Sequence, residues 1–264
     1  MEKIKQDTQN LIPNKIKKGN FKKFILQIRN VFNLEIRRNK EIIKICSPYS
    51  MISDYSLSRL ISLVGVVNKE KISGALVECG VWKGGACMAM ALAQMKYSEE
   101  YRDIWLYDTF NGMTMPALEN DGLKAERKYE DIKSGKHIDR YDKWHNQYKW
   151  IYCPINIVKK NINSTDYPVE KLKFIKGDIN KTLDSTTPSK IAILRLDTDW
   201  YQSTKKELDT LSPMLSVGGF IIIDDYYAWQ GSKKATDEFL AENPTAFKIV
   251  DKCAPEPLIL RKIL

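Results

Sequence analysis

The sequence predicts an α/β fold, an open doubly wound and mostly parallel sheet with helices on both faces, and three observations predict it. Five short apolar runs, 75–81, 104–110, 172–178, 190–196 and 220–223, lack the period-two alternation of a half-exposed strand, so each reads as a strand covered on both faces. Helical segments lie between them, and alternating strands and helices build a parallel sheet. Two of the runs end in acid, with Asp197 and Asp199 after the fourth and the pair Asp224–Asp225 after the fifth. A parallel sheet aligns the C-terminal ends of its strands, where α/β enzymes bind ligands, so these four carboxylates meet at one sheet edge. Clustered there they are oxygen ligands for a hard cation such as Mg²⁺, or else caps of loops and helices. The adjacent Asp pair favours the cation, because neighbouring like charges repel without a cation or strong donors beside them.

The elements follow in order. Residues 1–48 read as a basic helical appendage, in which Phe24, Ile25, Ile28, Val31 and Phe32 recur at three- and four-residue steps and Pro48 ends the pattern. A loop then leads to a helix capped by Ser53, Asp54 or Ser56, with Leu57, Leu60, Ile61 and Val64 as its buried stripe. Strand 75–81, helix 86–94 and strand 104–110 come next. Residues 111–171 exceed what one crossover needs and form an insertion or lid, with a helix over 155–162. Its aromatics Tyr141, Trp144, Tyr148, Trp150 and Tyr152 fasten it to the body or stack on a sugar or base. Strand 172–178 follows, then the βαβ unit that carries the acids, a helix over 231–243, and a terminal pair, 247–253 with 258–263, around Ala-Pro-Glu-Pro. Residues 49–264 are expected to form one domain.

Composition narrows the chemistry. The 264 residues carry a formal charge of +9, much of it between Lys15 and Lys44, which fits an anionic partner or a solvated basic face. Five scattered cysteines without a CxxC pair indicate neither a zinc site nor a disulfide framework. His137 and His145 both lie in a polar stretch, which removes most histidine-based schemes and leaves carboxylates to do the work. No apolar run approaches the roughly 20 residues of a spanning helix, and the first residues lack the apolar core of a signal peptide, so the protein is expected in the cytoplasm without a transmembrane segment.

After the first strand, VECGVWKGGACMAMA places Glu78, Gly80, Gly84 and Gly85 at the turn into a helix. Dinucleotide folds use G-x-G-x-x-G there to bring pyrophosphate to the helix N-terminus. An acid in that position suits a cationic ligand instead, and S-adenosylmethionine, with its ammonium and sulfonium charges, fits. Asp108, after the second strand, stands where an acid bonds ribose hydroxyls in doubly wound folds, or caps a turn.

The segments MISDYSLSRL, VECGVWKGG, LYDTFNGM, FIKGDINKTL, LRLDTDWYQST and GGFIIIDDYYAWQGSKKATDEF, in this order over residues 49–243, resemble the macrocin O-methyltransferase family of class I, metal-dependent sugar O-methyltransferases. The resemblance implies a Rossmann-like methyltransferase domain that uses S-adenosylmethionine and Mg²⁺ to methylate a sugar hydroxyl in glycan, polysaccharide or glycosylated natural-product biosynthesis. It further implies Glu78, Gly80 and Gly84, with Trp82 and Gly85 beside them, at the methionine end of the cofactor. Asp108 falls at the ribose, followed by Thr109 and Phe110, and Asp178 falls beside the adenine. Ser50, Met51 and Ile52 fall in a segment that closes over the cofactor, and Asp197, Asp224 and Asp225 hold the metal. A homodimer, and an acceptor that is free, phosphorylated or nucleotide-linked, complete the expectation, with no nucleic acid as partner. Either Asp197 or Asp199 takes the acceptor proton. A nicotinamide-dependent oxidoreductase lacks its glycine signature, and a nucleic-acid methyltransferase or binding protein lacks an N-P-P-Y motif.

Overall fold

The computed structural model of the protein describes residues 36–136, 143–144, 147–252 and 254–264. The apolar residues expected to line the N-terminal helix, Phe24 to Phe32, lie outside the described residues, as do His137, Tyr141, His145 and the side chains of Trp144 and Tyr148. Residues 36–46 are helical, and Ile42, Ile43 and Cys46 are buried in the same cluster as the first helix of the body.

The main sheet contains β1 (Ala75–Cys79), β2 (Ile104–Asp108), β3 (Leu172–Lys176), β4 (Ile191–Leu196), β5 (Leu215–Ile223), β6 (Phe247–Lys252) and β7 (Leu258–Lys262). Their order across the sheet is β3-β2-β1-β4-β5-β7-β6. The first five are parallel, and β7 runs antiparallel to both β5 and β6. The chain therefore reverses its direction of travel between β1 and β4, which opens a crevice at their C-terminal ends. The strands stop earlier than the apolar runs do, β1 at Cys79 and β2 at Asp108, because the residues beyond turn into the loops that line that crevice.

Alternate residues of the strands feed two cores. Leu76, Ile104, Leu106 and Ile193 face α1 (Asp54–Lys69) and α2 (Gly85–Tyr97), whereas Val77, Tyr107, Leu194 and Ile221 face α6 (Tyr201–Leu211) and α7 (Gln230–Glu242). Leu57, Leu60, Ile61 and Val64 of α1 are buried, each contributing about 1.5–3 kcal/mol of transfer free energy. Ser53 is the cap of this helix, its Oγ accepting the Ser56 N–H at 3.0 Å.

Three helices complete the body. In the insertion, α3 (Leu118–Lys133) was not visible in the sequence, since a Gly122 kink interrupts it and only Asp121, Ala125 and Ile132 are buried along it. After it come α4 (Ile155–Asn163) and the one-turn α5 (Ile179–Thr182). Asp121 ties the insertion down, for its two carboxylate oxygens accept the N–H groups of Ala117 and Tyr201, both at 2.7 Å. Trp150, Trp200 and Trp229 pack edge to face with centroids 5.3–5.8 Å apart. The insertion's aromatic at position 150 thus fastens it to the start of α6 and the loop before α7.

Candidate active site

The strand ends enclose a cavity of about 460 Å³. One side is built by the turn after β1 and the end of β2. Gly80 has φ +85, and a Cβ added there would lie 1.8 Å from the Asp197 carbonyl oxygen, so only glycine lets β1 and β4 close at this level. The two strands are joined there by the Asp197 N–H, which donates to the Cys79 carbonyl at 2.8 Å. Asp108 organises the same corner, its Oδ2 accepting the N–H of Val81 at 2.7 Å and of Trp82 at 3.1 Å, its Oδ1 that of Phe110 at 2.5 Å. Burial raises its pKa, and these three donors oppose the rise. A carboxylate has about four lone-pair sites, so Asp108 keeps capacity for a further donor.

Met51, Ile52, Gly80, Trp82, Asp108, Thr109 and Asp178 line the cavity. Other residues singled out in the sequence act from behind the wall. Ser50 accepts the Ile52 N–H at 3.3 Å and lies against Gly85, where an added Cβ would meet Tyr49 backbone at 2.6 Å. Gly84 caps α2 in the left-handed region, and Phe110 is buried against Phe174. Glu78 is 2% exposed and lies outside the lining, accepting the Cys87 thiol and the Arg195 guanidinium, each at 2.6 Å. Burial pushes its pKa up to about 7 against the pull of Arg195.

The opposite side is acidic. Asp197, Asp199, Asp224 and Asp225 all line the cavity. Asp197, Asp199 and Asp225 each bring one carboxylate oxygen within 4.8 Å of the other two. Asp225 Oδ2 also accepts the Asp199 N–H at 3.2 Å, which helps hold Asp199 at φ +65, a left-handed conformation that Asp tolerates. Burial raises Asp199 to about 7 and Asp225 well above the usual carboxylate range, and the neighbouring acids push Asp225 further. Asp224 is turned to Arg195, 2.9 Å from its Nη2, and burial lifts its pKa to about 6 against that cation.

Several cavity residues had not been singled out. Trp229 and Met113 supply apolar wall, and Glu256, from the loop before β7, adds a further acid to the lining. Arg195 was missed although it left a signal, as the one charged side chain in the six-residue buried run IAILRL. Among the described residues no helix is long and apolar enough to cross a membrane.

Known proteins resemble this chain in sequence and fold. The macrocin O-methyltransferase profile matches residues 3–253. The demethyldecarbamoylnovobiocin O-methyltransferase of Streptomyces niveus is 30% identical over 204 residues, 77% of this chain and 72% of the relative. A tetracenomycin rhamnosyl 4'-O-methyltransferase of Streptomyces olivaceus is 30% identical over 179 residues, 67% of this chain and 62% of the relative. Among solved structures, the O-methyltransferase NovP superposes with a TM-score of 0.69 at 26% identity, covering 82% of this chain and 83% of its own. A calicheamicin methyltransferase shares the fold, with a TM-score of 0.56 at 17% identity over 87% of this chain and 91% of its own. A profile that spans nearly the whole chain makes the protein a member of the macrocin O-methyltransferase family and an S-adenosylmethionine-dependent O-methyltransferase.

Proposed function

We propose that the protein methylates a sugar hydroxyl of a glycosylated small molecule with the help of one divalent cation, Mg²⁺. The observation that carries this reading is the convergence of carboxylate oxygens from Asp197, Asp199 and Asp225 at the wall opposite Asp108. An all-carboxylate donor set suits a hard cation, which would favour the charged forms that burial and the neighbouring acids disfavour at Asp199 and Asp225. Asp197 and Asp225 belong to the cation in either of two versions. The family resemblance supports Asp224 as the third ligand, leaving Asp199 as the proton acceptor, whereas the convergence supports Asp199 itself, with Asp224 held back by Arg195.

When bound, the cation would lower the pKa of an alcohol, which is otherwise a poor nucleophile. S-adenosylmethionine, when bound, supplies an electrophilic methyl group. Asp108 and Asp178 would hold its ribose and adenine ends, and Met51 and Ile52 would cover it. Asp197 or Asp199 would take the proton that the acceptor hydroxyl gives up as it is methylated. The chain's contribution is to hold these partners in line. Trp150 and Trp229 give rigid apolar faces against which a sugar ring can rest. Sugar-bearing acceptors are supported by the names of the relatives, one of which acts on a rhamnosyl tetracenomycin.

The test is methyl transfer to a panel of deoxysugar glycosides, followed by mass spectrometry with and without EDTA. Transfer that stops with chelator and returns with Mg²⁺ supports the reading, and full turnover in excess EDTA overturns the cation. Asp199→Asn and Asp224→Asn, compared for ion affinity, identify the third ligand.

A further inference from the structure

Arg195 is 2% exposed and faces three carboxylates delivered by three strands. Glu78 is its register partner on β1, and Nη1 donates to Glu78 Oε1 at 2.6 Å and to Asp197 Oδ2 at 2.8 Å. Nη2 lies 2.9 Å from Asp224 Oδ1 at the end of β5, so the same guanidinium reaches a third carboxylate. Stability does not account for such a group, because a buried ion pair is often no better than apolar side chains of the same volume. A guanidinium supplies direction instead: a planar, permanently charged fork that fixes the carboxylates around it.

We propose that Arg195 is a positioning residue of the methyl-transfer site, anchored by Glu78 and acting through Asp197 and Asp224. Asp197 and Asp224 border the cavity, with side chains 29% and 17% exposed, while Arg195 and Glu78 lie behind the wall. With Oδ2 of Asp197 held on Arg195, this carboxylate stands preformed for the cation rather than being recruited by it. Glu78 accordingly serves as the anchor of Arg195, and its place in the glycine turn reflects contact with the acid half of the site rather than with the cofactor. The proposal rests on the reading in which Asp197 holds the cation.

The experiment compares wild type, Arg195→Lys and the double variant Arg195→Met/Glu78→Gln. The double variant is needed because removing the guanidinium alone strands Glu78 as an unpaired buried charge and threatens the fold. Circular dichroism establishes folding, calorimetry measures S-adenosylhomocysteine affinity, and electron paramagnetic resonance measures Mn²⁺ affinity. We expect folded variants that bind S-adenosylhomocysteine within about threefold of wild type, lose about tenfold in Mn²⁺ affinity, and fall about a hundredfold in kcat with little change in KM for S-adenosylmethionine. Arg195→Lys should recover part of the loss, since an ammonium keeps the charge without the fork. Unchanged Mn²⁺ affinity and kcat in either folded variant overturns this proposal alone, as does a loss that falls equally on S-adenosylhomocysteine binding. A wild type that binds no Mn²⁺ overturns the cation reading and this proposal with it.

Discussion

The Glu256 carboxylate accepts a 2.6 Å hydrogen bond from the Ser56 hydroxyl, tying the loop before β7 to the first turn of α1. The same Oε2 accepts the hydroxyl of Ser53, the cap of that helix, at 2.7 Å. Met51 and Ile52 are the residues immediately before the cap, and Glu256 therefore fastens a stretch that lines the cavity. Glu256→Ala should cost about 1 kcal/mol locally. Faster amide exchange between Ile52 and Leu57 and a several-fold weaker affinity for S-adenosylhomocysteine are the expected readouts. Unaltered exchange there would show that the segment is held by other contacts.

Trp150 is 8% exposed and packs against both other members of the three-tryptophan cluster. Trp150→Ala removes a large buried aromatic and should lower stability by about 3 kcal/mol. The insertion should lose most of it, so limited proteolysis is expected to cut within 111–171 before the sheet unfolds. Trp150→Phe should restore much of the protection, and equal cleavage of wild type and Trp150→Ala would argue that the insertion is anchored through Asp121 alone.

Glu207 of α6 is fully buried, and its two oxygens accept only the Thr198 hydroxyl, at 3.0 and 3.2 Å, among the hydrogen bonds found for it. Burial raises its pKa well above the ordinary value, with Asp197 adding to the rise and the Thr198 bond opposing it. A carboxyl whose folded pKa exceeds its unfolded one is protonated more tightly in the native state. Its contribution to stability is complete below the unfolded pKa of about 4.3 and is lost as pH climbs toward the folded value, by at most about 1.4 kcal/mol per pH unit. Glu207→Gln keeps the shape and removes the titration. In urea denaturation the variant should match wild type near pH 4 and exceed it at neutral pH, and parallel pH profiles would refute the buried-acid account.

Asp108 serves both the turn after β1 and the end of β2. Losing a charged acceptor costs about 1.5–3 kcal/mol, so Asp108→Ala should weaken S-adenosylhomocysteine binding by about one to two decades in calorimetry. Unchanged affinity would remove Asp108 from the ribose.

What the sequence showed and what it hid follow from the range of the interactions. Strands β1, β4 and the end of β5 were legible because burial on both faces leaves continuous apolar runs such as IAILRL and GGFIII, whereas β3 (LKFIK), expected to be covered on both faces, lies at the sheet edge and is mostly half-buried. The acids at their ends were legible because parallel strands deliver their C-termini to one edge. The grouping of those acids was not, since Asp224 and Asp225 are neighbours in sequence yet one turns to Arg195 and the other to Asp199. Helix α3 was hidden because it buries little and is stabilised from outside, by Asp121 bonding the N–H of Tyr201 eighty positions away. The role of Glu256 was hidden for the same reason, its partners lying about two hundred residues upstream.

The contact between Gly80 and the Asp197 carbonyl also limits how this enzyme can be redesigned. Because no side chain fits at position 80, a library that seeks a roomier cofactor cavity from that corner would drive the acid-bearing strand out of place, and its members would lose transfer even while still binding a larger analogue. Variation has freer play at Met113 and Thr114, which line the cavity from the insertion. Selectivity for new acceptors is to be sought there, leaving the junction of the first and fourth strands untouched.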